Sequence, residues 1–406
     1  MPEIFLLGVG KHGLTVEQQS RLTESGLIVG SERHLHLAAE CKAEKISITP
    51  LHEAQSVIKR KLTEGCNVSV LAGGDPLFFG IGRRLLDAFG PERLVVLPAL
   101  SSMQEACARF RMPWDDVHFV SLHGREAGHL PGLLLRYAKT FVFTDRINSP
   151  DVIADRIIGY LELIQDDAML AGCRVWVAEN LGMADERIVN GSLGEIAGRR
   201  YQDLNVLLLQ RPRLGKIHPR FGLNEEEIRH SRGLITKDEV RAVTLHRLAL
   251  PEHGVLWDIG AGSGSVSIEA ARLCPGLTVY AVERNETELA NICANIRRYG
   301  CYNVVPVGAE APGVLSGLPD PDRVFVGGSG GNLAMIIGAA AERLVSGGRL
   351  AANGVIPDTV ARAPQLMADR GLKVTVSKVS CERNDFPQAS ESGRIFNPIS
   401  IVTGKK

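Results

Sequence analysis

The chain has no net charge, with 46 Lys+Arg against 46 Asp+Glu in 406 residues, so it lacks the basic excess that marks a general nucleic-acid binder. No apolar stretch approaches the roughly 18 residues that a membrane-spanning helix needs. The opening MPEIFLLGVGKHG has a short apolar run without a basic flank and is broken early by glycines, which reads as a first buried strand rather than a signal peptide. A cytoplasmic setting is therefore expected. The eight cysteines (Cys41, Cys66, Cys107, Cys173, Cys274, Cys293, Cys301 and Cys381) form no C-x-x-C pair and have no nearby H-x-x-x-H partner. Reduced, partly buried thiols are expected rather than a disulfide framework or a metal site.

What is present is the composition of a well-packed protein, 45% apolar and 23% charged, in a chain too long for one ordinary core. Short Val/Ile/Leu-rich runs alternate with helical patterns, which predicts α/β units around mostly parallel sheets. The predicted strands of the first half are Ile4 to Gly10, Leu27 to Gly30, Val68 to Gly73, Leu94 to Pro98, Phe141 to Asp145, Arg174 to Glu179 and Leu204 to Gln210. After Gln210 the composition shifts to RPRLGKIHPRFGLNEEEIRHSRG, charged and with little periodicity, as an interdomain linker would be. A second series follows with GVLWDIG, TVYAVE, VVPVG, RVFVGG, GRLAANGV and KVTVSKV. Two α/β domains in tandem are expected, residues 1–211 and 233–406, joined by a linker over 212–232.

Trp257 to Ala271, WDIGAGSGSVSIEAA, sets Gly260, Gly262 and Gly264 between a strand and a helix, with Ala261 and Ser263 between them. Glycines there let the chain turn tightly and let a ligand approach the helix N-terminus. Such a turn holds either the phosphates of a dinucleotide or S-adenosylmethionine (SAM). The dinucleotide fingerprint G-x-G-x-x-G asks for glycine at position 265, where this chain has Ser265. Asp258, just before the first glycine, would repel a pyrophosphate and attract the ammonium and sulfonium of SAM. Glu283 ends the next strand about 20 residues on, where a carboxylate accepts both ribose hydroxyls. The two acids favour the sulfonium ligand.

With these residues in register, the second half resembles a class I methyltransferase. GLITKDEVR (233–241), VFVGGSGGNL (324–333) and the closing NPISIVTG resemble the decarboxylating precorrin methyltransferases of the cobalamin pathway, over most of residues 230–403. The resemblance implies that Thr236 reaches the cofactor; Thr236 and Glu239 also read as a capping box for the next helix. Where that family shows G-D-A, this chain has GAEAP, so adenine contacts from Ala309, Glu310 and Ala311 are expected through the backbone. Gly327, Gly328, Ser329, Gly330 and Gly331 form the expected substrate-side loop, where glycines permit close approach of a large flat molecule.

In the first half, LAGGDPLFFG (71–80), PALSSMQEACARF (98–110) and GVGKHGLT (8–15) resemble the tetrapyrrole methylase superfamily over roughly residues 3–210. That resemblance implies a two-lobed α/β fold cradling SAM, with Gly73 and Gly74 admitting the cofactor and Asp75 aimed into the cleft. Ser101 and Ser102 would lie beside it, as would Gly8 and Gly10. Lys11 and His12 stand where proline and glycine are common in the family. The expected fold is therefore an N-terminal two-lobed tetrapyrrole methylase fold followed by a C-terminal Rossmann-like class I methyltransferase domain.

In this order the halves resemble fused, decarboxylating corrin-ring methyltransferases. The resemblance implies SAM at two sites, methylation of C5 and C15 of precorrin-6B and removal of the C12 acetate carboxyl to give precorrin-8. It also implies no metal, no nucleic-acid or membrane partner, and self-association into a homo-oligomer. The reduced ring is itself a carbon nucleophile, so the protein mainly aligns the reactants and excludes water. No catalytic residue is assigned; Arg241, Arg394 and Asn397 are candidates for handling the departing carboxyl. A carboxylate-rich substrate asks for cations, and Arg33, His34, His123, Arg125, Lys216, His218, Arg220, His230 and Arg232 are available. Two other readings stay open to the residues alone. One is a nucleic-acid methyltransferase with an N-terminal binding module, which would show N-P-P-Y or D-P-P-Y where G-G-S-G-G stands. The other is a non-catalytic scaffold with two SAM-binding clefts.

Overall fold

The computed structural model describes residues 1–123, 128–215, 220–231, 235–354, 357–384 and 394–406, with the backbone alone considered for 357–360. Its strands are β1 (Ile4–Val9), β2 (Ser25–Gly30), β3 (Glu44–Ser47), β4 (Asn67–Gly73), β5 (Leu94–Leu97), β6 (His118–Ser121), β7 (Lys139–Phe143), β8 (Arg174–Glu179), β9 (Arg187–Gly191) and β10 (Asn205–Gln210). They continue with β11 (His253–Ile259), β12 (Gly276–Glu283), β13 (Val304–Gly308), β14 (Arg323–Val326), β15 (Arg349–Gly354), β16 (Lys373–Arg383) and β17 (Arg394–Lys405). Two compact units are present. One comprises Met1–Glu126, Lys139–Val152 and Arg174–Leu209; the other comprises Ala127–Ala138, Ile153–Cys173 and Gln210–Lys406.

The first unit holds two five-stranded sheets, β3-β2-β4-β1-β5 and β6-β7-β10-β8-β9. The first sheet is parallel throughout, and its central strands are apolar on both faces, as a sheet covered on both sides requires. Ile4, Leu6, Leu27, Val29, Val68 and Val70 pack on one face. Phe5, Leu7, Ile28 and Leu71 pack on the other, the alternation that the strand period dictates. The strands not anticipated from sequence, β3, β6 and β9, are all sheet edges. These three carry no long apolar run, and β3 reads EKIS with three exposed residues.

The second unit is built on one sheet of order β13-β12-β11-β14-β15-β17-β16. The strands from β11 to β15 are parallel, and β17 is antiparallel to both β15 and β16. Strand order reverses at β11, which has β12 on one side and β14 on the other. In such sheets ligands bind beyond the carboxyl ends at that reversal. Trp257, fully buried on β11, packs against Val324, Val326 and Ile336 and donates from its indole to Pro319 O at 3.0 Å. The expected linker is pinned down in part: Leu223 and Ile228 are buried, and Leu223 N donates to Glu269 Oε1 at 2.8 Å. This unit also takes in two helical stretches from before residue 211, held by Tyr160 Oη donating to Val304 O at 2.7 Å and Tyr302 Oη donating to Asp166 Oδ2 at 3.2 Å. No helix among the described residues is long and apolar enough to cross a membrane.

Candidate cofactor sites

In the second unit, Gly260, Gly262 and Gly264 have φ of +66°, +54° and +77°, the left-handed region that glycine enters without steric cost. They carry the chain from β11 into the helix Ser265–Leu273, whose start has no side-chain cap. A Cβ on Gly260 would lie 2.3 Å from Gly328 O and 2.7 Å from Gly328 N. The loops after β11 and β14 thus meet backbone to backbone. Next to this contact is a cavity of about 210 Å³, bounded by Gly260, Glu283, Ala309, Glu310 and Ala311, and the loop Gly328, Ser329 and Gly330. Glu283 is fixed at its rim: Oε2 accepts from Gly262 N at 2.9 Å and Oε1 from Asn285 N at 2.8 Å. Arg284 and Glu310 form an exposed ion pair at 2.6 Å beside it.

Asp258 lies beneath the loop and is absent from the cavity wall. It is fully buried, and its Oδ2 accepts from Ser267 Oγ at 2.6 Å. Its Oδ1 and the buried Ser263 Oγ have no hydrogen-bond partner. Burial pushes the Asp258 carboxyl up to about 7, the Ser267 hydrogen bonds oppose this, and Glu283 adds to it. Buried polar atoms without partners are uncommon, and these two lie at and beneath the glycine turn.

Thr236 precedes the helix Asp238–Leu248, but the expected capping box is not formed. The cap position falls on Lys237 without a side-chain bond, and Glu239 pairs with Arg383 at 2.9 Å instead. Thr236 contributes its carbonyl to Arg241 Nη1 at 2.9 Å. Arg241 itself is buried, bonded to the Leu223 carbonyl and to Asp238, with Glu269 at 3.8 Å. It is a structural cation with no open face for a departing carboxyl. Arg394 and Asn397 are exposed.

In the first unit, the carboxyl ends of β1, β4 and β5 converge. A Cβ on Gly8 would lie 2.2 Å from Gly74 O and 2.4 Å from Ala99 N. Gly74, at φ +66°, donates to Val9 O at 2.9 Å and accepts from Ala99 N at 3.2 Å. Gly10 bridges Gly13. Asp75 is half-buried, and its Oδ1 accepts from Leu77 N at 2.9 Å, the local turn that Asp favours. Ser101 caps the helix Ser102–Phe110 in a reciprocal box with Gln104, while Ser102 is exposed. The structure thus brings Gly8, Gly74 and the Ala99–Ser101 turn into backbone contact, with Gly73 and Asp75 on either side of Gly74.

Of the expected cations, Arg33 and His34 flank this cluster, 3.4 and 3.5 Å from where a Gly73 Cβ would stand. Burial, then Arg33 and His36, hold the His34 imidazole below its ordinary range. His123 is exposed. Arg220 and His230 bond to the carbonyls of Leu273 and Ile228, both at 2.8 Å. Arg125, Lys216, His218 and Arg232 lie outside the described residues. Three contributors were not singled out from sequence. Gln18 is buried and donates to Gly8 O at 2.7 Å and Leu97 O at 2.9 Å; the T-x-x-Q spacing with Thr15 was its visible signal. Ser267 lies two residues into the helix after the glycines, and Arg383 binds three acids across distant sequence; neither has a local signature.

A doubly wound sheet with glycine loops at the strand reversal, a carboxylate under the first loop and another at the end of the next strand defines a Rossmann-like methyltransferase, here following a two-sheet unit with its own glycine cluster. Residues 4–197 match the family model described as Tetrapyrrole (Corrin/Porphyrin) Methylases and residues 227–386 the one described as Precorrin methyltransferase domain. The chain is 33% identical over 364 residues to a Sinorhizobium sp. protein named precorrin-6Y C(5,15)-methyltransferase (decarboxylating), covering 88% of this chain and 86% of that one. It is 31% identical over 372 residues to a Mycobacterium tuberculosis protein of the same name, 88% of each. A Salmonella typhimurium protein named cobalt-precorrin-6B C(15)-methyltransferase (decarboxylating) is 41% identical over 177 residues, 42% of this chain and 89% of that one. The chain belongs to the family of decarboxylating precorrin-6Y C(5,15)-methyltransferases.

Proposed function

We propose that the protein uses two molecules of SAM per tetrapyrrole, methylating C5 of precorrin-6B with residues 1–211 and C15 with residues 233–406, where the C12 acetate carboxyl is also lost to give precorrin-8. The observation that carries this reading is the 210 Å³ cavity between the Gly260 and Gly328 loops, backed by a buried carboxyl with an unpartnered oxygen. SAM supplies a methyl group already activated on a sulfonium. Asp258 and Ser263 would hold its amino-acid end through the glycine loop, and Glu283 would take the ribose hydroxyls, exchanging its present bond to Gly262. The backbone at Ala309, Glu310 and Ala311 would border the adenine. The Gly328–Gly330 loop, without side chains at two of its three positions, leaves room for the flat acceptor. The chain's work is to hold the acceptor carbon in line with the methyl group and keep water out. In the first unit Gly8, Gly10, Gly73, Gly74, Asp75, Ser101 and Ser102 are assigned the corresponding task.

Incubation of the full chain with precorrin-6B and SAM, read by product mass, tests this. A gain of two methyl groups with loss of carbon dioxide is expected; an unchanged mass with competent substrate overturns it. A homo-oligomer, a cytoplasmic setting and no nucleic-acid partner go with the reading, and light scattering on the purified chain measures the first.

A further inference from the structure

The ladder between β15 and β17 ends where Gly354 meets Ser400. Gly354 is the last residue of β15, so this rung lies at the carboxyl edge of the parallel strands, the edge that carries the glycine loops. From Ser400 back to Arg394, β17 continues beyond that edge, paired with β16 as far as Arg383. At about 3.3 Å per residue, this two-stranded arm projects roughly 20 Å past the sheet on the cofactor side.

Its far end is densely charged, with Arg383, Arg394 and Lys237 beside Glu225, Asp238 and Glu239. Arg383 and Arg394 face each other as the last rung, a placement in which like charges repel. Arg383 is compensated: its guanidinium donates to both Glu239 oxygens at 2.9 Å and lies 3.3 Å from the carboxylates of Asp238 and Glu225. Lys237 pairs with Glu225. These bonds lash the arm to the start of the helix Asp238–Leu248, beside Thr236. Phe396 gathers three cations around its ring, with Arg394 at 5.1 Å, Arg383 at 5.3 Å and Lys237 at 5.9 Å from the centroid. Among the described residues, the carboxylates of this cluster form ion pairs with Arg383, Lys237 and Arg241, while Arg394, exposed at its edge, attracts Glu225 only through space. Stacking on Phe396 restrains the Arg394 side chain without using its N–H donors.

We propose that Arg394 is a substrate-positioning residue, held over Phe396 at the end of the β16–β17 arm to bind one carboxylate side chain of the anionic tetrapyrrole at the second cofactor site. This rests on the tetrapyrrole methyltransferase reading above. The contact is a forked guanidinium–carboxylate pair, which also relieves the repulsion between the facing arginines. The carboxylate it holds is one that stays on the ring: a cation bound to the departing carboxylate would stabilise the ground state and slow its loss.

The test uses the full-length chain, Arg394→Ala and Arg394→Lys, with precorrin-6B at saturating SAM. Four quantities are measured: KM and kcat for C15 methylation, carbon dioxide released per C15 methyl, C5 methylation, and the unfolding midpoint. For Arg394→Ala, KM rises roughly tenfold to a hundredfold, the range for a hydrogen bond to a charged group, and kcat stays near wild type. The carbon dioxide to methyl ratio, C5 methylation and the unfolding midpoint do not change. Arg394→Lys, a point charge without the fork, falls between wild type and Arg394→Ala. An unchanged KM, or a fall in kcat or in the carbon dioxide ratio at unchanged KM, overturns the proposal. Failure of the parent reading is distinguishable, because wild type and variants alike would then leave precorrin-6B unmethylated at both carbons.

Discussion

Asp258→Asn separates what the buried carboxyl costs the fold from what it does for the ligand. In the folded chain burial pushes the group up to about 7, against 3.8 for an ordinary aspartate. Between those values the folded state binds more protons than the unfolded one, so stability falls as pH rises through that window and is level above it. At about 1.36 kcal/mol per pH unit, the ionised side chain costs the second unit roughly 4 kcal/mol at pH 8 and almost nothing near pH 4. Asn cannot ionise, so the variant is expected to be more stable than wild type at pH 8, with the difference shrinking as pH falls. Urea unfolding followed through buried Trp257, with Trp114 and Trp176 replaced by Phe in both proteins, reads the second unit. Binding moves the other way. A cation of SAM at the glycine loop above it favours the ionised carboxyl, so wild-type affinity at this site rises with pH below 7, by up to about tenfold per pH unit, and levels off above it. Calorimetric titration should show the variant weaker at pH 8 and nearly flat with pH. A stability difference equal at pH 5 and pH 8, or a wild-type affinity at this site independent of pH, refutes the reasoning.

Gly260→Ala sets a Cβ 2.3 Å from the Gly328 carbonyl oxygen at φ +66°, forcing the two loops apart; a displacement on the ångström scale costs about a hundredfold in rate, read as lost C15 methylation with C5 methylation intact. Gly8→Ala makes the mirror prediction, because its Cβ would lie 2.2 Å from Gly74 O: C5 methylation drops about a hundredfold while C15 methylation and carbon dioxide release persist, and equal loss of both would contradict the division of labour. Arg241→Ala leaves the buried Glu269 carboxylate without its cation and should lower stability by about 3–5 kcal/mol at pH 7, seen as an earlier urea midpoint.

How much was legible in the sequence depended on whether the deciding contact was local. β1, β4, β8 and β11 stand out because a strand buried on both faces must be a continuous apolar run, whereas β3, β6 and β9 sit at edges where that demand lapses. The three glycines after β11 were readable because positive φ at three alternate positions admits little else. The box of Thr236 and Glu239 was misread for a non-local reason: Arg383, 144 residues away, offers Glu239 two charge-assisted hydrogen bonds, stronger than the backbone bond a cap provides. No spacing rule sees that competitor.

Burial also divides the two aspartates that the glycine motifs pointed to. Asp75 follows its glycines, sits in the turn half-buried, and has a local backbone partner for one oxygen. Asp258 precedes its glycines, so it still belongs to the strand, and a strand in the middle of a seven-stranded sheet faces core on both sides. The same residue type is thereby pushed up to about 7 and left with an oxygen without a partner. The cost to the ligand-free fold and the attraction for a cation are one fact, and replacing the carboxyl with an amide should remove both together.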